Sequence, residues 1–502
     1  MNVTALVLCS ALTAAPVAGA APAPSVVLIT VDTLRPDALG WVARRNATPA
    51  IDRLAAEGAR FPGAISPVPL TLPAHASILT GLEPPRHGLR DNGQVLGPGL
   101  ATLAEALKAR GYRTGAFVSG YPLRALFGLD RGFERYDDGL PLKGQDFGDR
   151  PAAETTRAAL EWLKGVEGPF FLWLHFYDPH DPYEPPAAFH RPGPRGAYDG
   201  EVAAVDAAVG QLRAGLAADH GESLGEHGED THGFFVYDST LRVPLVLHFP
   251  GRLTPAAPAL APRLVDVAPT VLDLLGLPPL TALDGRSLRP ALEGRRLELP
   301  PAYFETLQPY LGYGWAPLSG LHTGRVKLID APRPELYDLA ADPGEMRDVY
   351  DRDAHRAARL QELLAERRSQ GARAAATADD PRVLERLRSL GYVGGGAPPP
   401  AGDWPRGLPD PKDRLALRAR LHESEALLAK GDLAGAVRDF EVLLKEEADN
   451  RFALLRLGTA LSRLGRPRAA QAPLARLAAL DPRQAEARYL LGEGYLRGAQ
   501  WL

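Results

Sequence analysis

From Ser25 onward the chain repeats one pattern: a short run that is apolar at nearly every position, then a stretch with helical spacing. Ser25–Val31 (SVVLITV), Thr114–Ser119 (TGAFVS), Phe170–Tyr177 (FFLWLHFY) and Val243–Phe249 (VPLVLHF) read as strands buried on both faces. Thr48–Gly58 and Leu100–Arg110 show helical periodicity between them, each closing near a glycine. Strands with no polar face need a layer of helices on each side. The expected fold is therefore α/β, a doubly wound and mostly parallel sheet. In such a sheet ligands gather beyond the carboxyl ends of the strands, so polar residues just after each strand come first as candidates for chemistry.

The pattern breaks at 393–412, where Gly394–Lys412 (GGGAPPPAGDWPRGLPDPK) is too rich in glycine and proline to build a core and reads as a linker. Beyond it, 413–502 is helical in spacing and carries an internal period. Gly431 and Gly465 are 34 residues apart, as are Gly458 and Gly492. That period matches the tetratricopeptide helix-turn-helix repeat, here an incomplete array reaching into a third repeat, with a plain helical hairpin extension as the alternative. Such an array would offer a surface to a protein partner rather than catalyse.

At the other end, Val3–Ala20 is apolar but interrupted by Thr4, Ser10, Thr13 and Pro16, and it closes on Ala18-Gly19-Ala20. This reads as a secretory signal over 1–20, which implies a secreted or periplasmic protein. No later segment is long and apolar enough to cross a bilayer. The only cysteine, Cys9, lies inside the signal, so thiolate catalysis, disulfides and cysteine metal sites are excluded from the processed chain. A net charge of −4 gives no basic footprint for nucleic acid.

Eight of the twelve histidines fall between His75 and His232, mostly in loops that also hold Asp, Thr or Asn. Clustered imidazole and carboxylate suit a divalent transition metal such as zinc, manganese or iron. Four segments supply the groups: Asp32 ending the first strand; Thr71 and His75 in TLPAHASILTG, followed by His87, Asp91 and Asn92; His175, Asp178, His180 and Asp181 in HFYDPHDPY; and Asp219, His220, His227 and His232 in ADHGESLGEHGEDTHG. Phosphoryl or sulfuryl transfer accounts for this combination. A threonine hydroxyl becomes nucleophilic when a metal lowers its pKa. Thr71 also precedes a helix expected over Ala74–Leu79, whose free N–H groups favour an anionic substrate. Asn92 can donate to an oxygen where charge builds, and a histidine can protonate the leaving group. Glu222 and Glu226 read as solvated, His175 as packed in a strand, and His87 and His227 as loop-shaping.

TLPAHASILTG with the following His87-Gly88, DHGESLGEHG and LRVPLVLHFPG together resemble the signatures of the sulfatases, in the alkaline-phosphatase superfamily. PELYDLAADPGE, Pro334 to Glu345, is similar to their small C-terminal α+β subdomain, so the catalytic domain is expected over 24–392. The resemblance implies a metal (zinc, manganese or calcium) on Asp32, Thr71, Asp219 and His220. It further implies Thr71 as nucleophile, His232 approaching the substrate and His180 lining the pocket.

Departures from the family narrow the chemistry. Sulfatases need a Cys or Ser in Cys-x-Pro-x-Arg for conversion to formylglycine; here Thr71 and His75 occupy those places. Thr-x-Pro-x-His with Asn92 is instead similar to nucleotide pyrophosphatase/phosphodiesterases. The Lys-x-His sulfate clamp is replaced by Ser119-Gly120-Tyr121-Pro122, and Thr33 stands for the second carboxylate after strand one. The expected function is a metal-dependent hydrolase of anionic esters that favours phosphate mono- or diesters. A phosphoryl transferase is one alternative. The other is a degenerate scaffold whose repeats bind a partner, because Val202, Val205, Val209, Leu212 and Leu216 form a helical stripe running almost into Asp219, with no strand legible before it.

Overall fold

The structure, a computed structural model, describes residues 23–44, 48–143, 146–147, 149–212, 215–371, 404–482 and 484–499, together with 376–377, 383, 386–387 and 399. The signal expected over 1–20 and nearly all of 393–403 lie outside these residues.

The main sheet has seven strands: β1 (Val26–Val31), β2 (Ala59–Ile65), β3 (Arg113–Phe117), β4 (Arg135–Asp137), β5 (Phe170–Phe176), β6 (Gly215–Ala218) and β7 (Arg242–Leu247). Their order is β2-β7-β6-β1-β5-β3-β4. The pairs from β6 through β4 are parallel. Only β7 runs against its neighbours β6 and β2. Its apolar run is indistinguishable in sequence from the parallel strands, because burial of both faces does not depend on direction. Helices α1 (Pro49–Glu57), α2 (Thr71–Thr80), α3 (Leu103–Lys108), α4 (Ala152–Leu163), α5 (Gly196–Val209) and α6 (Val267–Leu274) accompany the sheet. The ends of α3 are set locally: Thr102 accepts from the Glu105 N–H at 3.1 Å while Glu105 accepts from the Thr102 N–H at 2.9 Å.

The sequence pattern predicts no strand ahead of Asp219 and a helix continuing toward it; the structure corrects both. Helix α5 ends at Val209, and β6 follows within a few residues. Gly-Leu-Ala-Ala has neither β-branched nor aromatic residues, so it carries no strand signal of its own. It is a strand because it lies between β1 and β7, which pair with it on both sides. The register Val31↔Ala218 then sets Asp219 beside Asp32, one residue past each strand.

The outer side of β2 is partly closed. Bridges join Ala59 to Ala256 and Ile65 to Arg263, and Pro62 between them has no N–H to offer.

A second sheet, antiparallel, comprises β8 (Ala302–Thr306), β9 (Leu318–His322), β10 (Val326–Asp330) and β11 (Glu335–Asp338) in sequence order. It packs on α7 (Ala354–Ser369) through Tyr303, Leu328, Leu336, Leu360 and Leu364. This is the small α+β unit expected around Pro334–Glu345. Lys327, fully buried, pairs with Glu345 of the same unit at 2.7 Å and ties it to the main domain through Asp238 at 2.8 Å.

Five helices close the described chain: α8 (Leu415–Ala429), α9 (Leu433–Glu446), α10 (Arg451–Arg463), α11 (Pro467–Leu480) and α12 (Ala485–Ala499). Consecutive helices pack against each other. Gly431 and Gly465 sit in left-handed turns, with φ of +87° and +72°. A Cβ on Gly458 would lie 2.5 Å from the Leu474 side chain, so glycine permits α10 and α11 to approach. The stack shares a core with the catalytic domain, in which Phe234, Tyr313 and Trp315 join Leu421, Phe440 and Leu454. The end of the Gly/Pro segment is docked as well. The Arg368 guanidinium lies 4.1 Å from the Trp404 ring, and the Arg333 N–H donates to Asp410 at 3.0 Å.

Candidate active site

Asp32 and Asp219 leave the ends of β1 and β6 side by side, and His220 follows at once. All three are buried. His220 Nδ1–H donates to the Gly221 carbonyl at 3.0 Å, which leaves a bare lone pair on Nε2. That nitrogen faces Asp32 Oδ1 at 3.2 Å and Asp219 Oδ2 at 3.6 Å. Neither of those carboxylate oxygens has a hydrogen-bond donor. Burial, then the neighbouring Asp32, pushes the Asp219 carboxyl well above its ordinary range. Burial, then His232, drives His220 down to about 3, so it brings no compensating charge. Three ligand atoms converging in a buried site, two of them carboxylate oxygens without a donor, fit a divalent cation.

Thr71 is the first residue of α2 and points into the same cluster, with Oγ1 3.3 Å from Asp32 Oδ2 and 3.5 Å from His220 Nε2. The helix begins three residues earlier than expected, and its end is a weaker anion site than the sequence suggests. The Leu72 N–H donates to Asn92 Oδ1 at 2.9 Å, Pro73 has no N–H, and the Ala74 N–H bonds to Leu70. Holding Asn92 Oδ1 in this way leaves Asn92 Nδ2 as a buried donor without a partner. Of these groups, the donor left open is Asn92 Nδ2 rather than the helix end.

His75, His175 and Asp219 also lie close enough to suggest a cation. His75 rules this out. Its Nδ1–H donates to the Thr71 carbonyl at 2.7 Å and its Nε2 accepts from the Thr30 hydroxyl at 2.9 Å, so no lone pair remains. Burial keeps the ring neutral. Thr33, in the place of a second carboxylate, turns away: its hydroxyl donates to the Pro179 carbonyl, and its φ of +49° is unusual for a β-branched residue.

On the other side of His220 from the helix, the His232 ring lies tilted against it with centroids 4.5 Å apart, and edge-on to His180 at 4.9 Å. Glu222 is a group the sequence does not reveal. Read as solvated, it is buried, accepting from His232 Nδ1 at 3.1 Å and from the Tyr183 hydroxyl at 3.1 Å. Burial raises Glu222 to about 8 and lowers His232 to about 4. His180 lies flat on Tyr177, centroids 4.1 Å apart, and Gly120 makes room for that ring where the sulfate clamp would stand. Asp178 is not part of the cluster; it accepts from the Ala152 N–H at 2.9 Å and caps α4. His175 is closer than a packing role requires, with Nε2 3.5 Å from Asp32 Oδ2. The structure thus gathers Asp32, Thr71, Asn92, His180, Asp219, His220 and His232 at one end of the sheet.

The same fold occurs in solved structures. The phosphonate monoester hydrolase of Agrobacterium radiobacter superposes with a TM-score of 0.58 at 23% identity, covering 69% of this chain and 96% of that one. A structure holding its substrate D-glucosamine-2-N,6-O-disulfate does so with 0.59 at 21% identity, covering 69% and 98%. Residues 24–277 match the sulfatase family model, and residues 225–370 match the model described as N-sulphoglucosamine sulphohydrolase, C-terminal. The chain belongs to the sulfatase family and is an ester hydrolase of that family. Human arylsulfatase A is 27% identical over 64% of this chain and 82% of its own. The multifunctional alkaline phosphatase superfamily protein PehA of Trinickia caryophylli is 27% identical over 54% and 77%.

Proposed function

We propose that the protein is a metal-dependent hydrolase of anionic esters in which Thr71 is the nucleophile, and that it cleaves phosphate mono- or diesters in preference to sulfate esters. The observation that carries this reading is a threonine hydroxyl within 3.5 Å of both Asp32 and His220, at the position where a sulfatase needs a residue convertible to formylglycine. Threonine has a secondary alcohol and cannot give that aldehyde. The likeness to PehA, named as an alkaline phosphatase superfamily protein, is in keeping with phosphorus esters.

A divalent ion (zinc, manganese or calcium) held by Asp32, Asp219 and His220 would supply the charge that lowers the Thr71 hydroxyl pKa. Thr71 Oγ1, its proton released to solvent, then attacks phosphorus as the bond to the leaving oxygen breaks, and the Asn92 amide donates to a non-bridging oxygen as charge accumulates. The departing alkoxide takes a proton from His232, whose Nδ1 is anchored on Glu222. Glu222 and His232 share that hydrogen bond, and an arriving anion favours the proton on His232. In the second half water attacks phosphorus, giving a proton back to His232, and Thr71 Oγ1 leaves and is reprotonated from solvent.

Under the same proposal, residues 1–20 are a secretory leader. Helices α8–α12 are tetratricopeptide-type pairs for a protein partner, supported by the 34-residue glycine spacing and the turns it marks.

The test is a substrate panel with zinc or manganese supplied. An aryl phosphodiester is expected to turn over faster than the matching aryl sulfate, with Thr71→Ala inactive and Asp219→Ala retaining no ion. A sulfate preference that survives Thr71→Ala overturns the reading.

A further inference from the structure

The loop that carries His232 is gripped from outside the catalytic domain. Helix α8 touches it at both ends. At one end Gly228, with φ of +78°, lies so close under Leu415 that a Cβ there would sit 2.9 Å from Leu415 Cδ1. At the other end the Arg418 guanidinium lies 4.6 Å from the Phe234 ring centroid. Between these contacts the loop closes on itself. Glu229, fully buried, accepts from the Phe234 N–H at 2.7 Å and the Phe235 N–H at 3.2 Å. The Ser223 N–H donates to the Thr231 carbonyl at 2.9 Å, and Thr306 donates to the Gly233 carbonyl. His232 therefore sits in a short span whose flanks are fixed by α8.

Arg418 is itself well placed to hold a position. It hydrogen-bonds Tyr313, whose ring stacks on Trp315 with centroids 4.5 Å apart, and its charge acts on the buried Glu229. A cation over an aromatic face, backed by a stacked pair, resists displacement more than an aliphatic contact does. Catalytic groups tolerate little displacement: about 1 Å costs on the order of a hundredfold in rate.

We propose that Arg418 is a positioning residue for His232, acting through Phe234 and the 229–235 loop, so that the helical region completes the active site. This rests on the reading that His232 protonates the leaving group. A proton donor matters most when the leaving group is poor, and this gives a readout that loss of stability alone does not move.

The experiment compares kcat and KM of the full chain on phenyl phosphate and 4-nitrophenyl phosphate for wild type, Arg418→Met, Arg418→Lys, Leu415→Ala and His232→Ala, with bound metal and melting temperature measured for each. Arg418→Met is expected to lower kcat on the phenyl ester about tenfold more than on the nitrophenyl ester, with KM and metal content little changed. Arg418→Lys is expected to recover much of the loss, and His232→Ala to show the same selectivity more strongly. If Arg418→Met is too unstable to purify, Leu415→Ala must show the selective loss. Equal losses on both esters, or none, alongside a selective His232→Ala, overturn the role of Arg418 while leaving that of His232 intact. A His232→Ala that is not selective overturns both.

Discussion

At position 75 the chain carries a histidine where formylglycine sulfatases have an arginine, and both ring nitrogens are committed to scaffold, one to Thr71 and one to Thr30. Its place in a histidine-rich cluster does not reveal this; the hydrogen bonds make it a post that fixes the backbone under Thr71. Glu222 shows the reverse. In a run as polar as GESLGEHGED a glutamate looks solvated, and only partners from distant segments, Tyr183 and His232, reveal that it is buried. Asp32 and Thr71 were legible because one follows a strand and the other opens a helix, where this class of sheet keeps its chemistry, whereas Asp219 and His220 were legible only through the motif DHGESLGEHG. We predict that Glu222→Gln lowers kcat by about tenfold to a hundredfold, in the range seen when the partner that orients an active-site group is removed, with bound metal unchanged. Steady-state kinetics and metal analysis check this. Asp91 supplies a pH test. Burial pushes its carboxyl up to about 7. A raised folded-state pKa means that its neutral form suits the fold, so stability present below about pH 4 is lost as pH rises toward 7. Asp91→Asn is therefore expected to gain on wild type between about pH 5 and 8, by up to a few kcal/mol, in urea melts. A constant difference between the two proteins would contradict it.

Among the elements, strands apolar on both faces were legible, and β1, β3, β5 and β7 fall where the runs place them, within one or two residues. Strand β6 was not legible, because four small residues take their conformation from two neighbours rather than from themselves. The direction of β7 was hidden for a related reason: side-chain burial records coverage, not polarity. Just beyond β6, a Cβ on Gly221 would lie 2.2 Å from the Ser239 carbonyl oxygen, with backbone on both sides of the contact. Gly221→Ala must therefore shift the turn that delivers His220. The expected result is at least about a tenfold loss of metal affinity, as for disrupted outer-shell partners, together with a lower melting temperature. Calorimetric titration with zinc measures the first, and unchanged affinity would contradict it.

For the molecule as a whole, composition marked 393–412 as a linker, yet its end packs firmly, because a single Trp404 beneath Arg368 outweighs the glycines and prolines around it. The helical character of 413–502 was legible, but its seat on the catalytic domain was not: the aromatic residues that form the seat come from 234 and 313–315, far apart in sequence. A chain ending at residue 403 is expected to expose Phe234, Tyr313 and Trp315 and to aggregate, whereas the full chain remains monodisperse. Size-exclusion chromatography distinguishes the two, and a soluble, fully active truncation would contradict the shared core. The border of the main sheet bears on handling at high concentration. With bridges at 59 and 65 and an imino acid at Pro62 between them, β2 offers another copy no uninterrupted ladder to extend. Fibril-like growth from that edge is blocked by the backbone itself, so crowded or refolding conditions should favour intact monomers over cross-strand polymers.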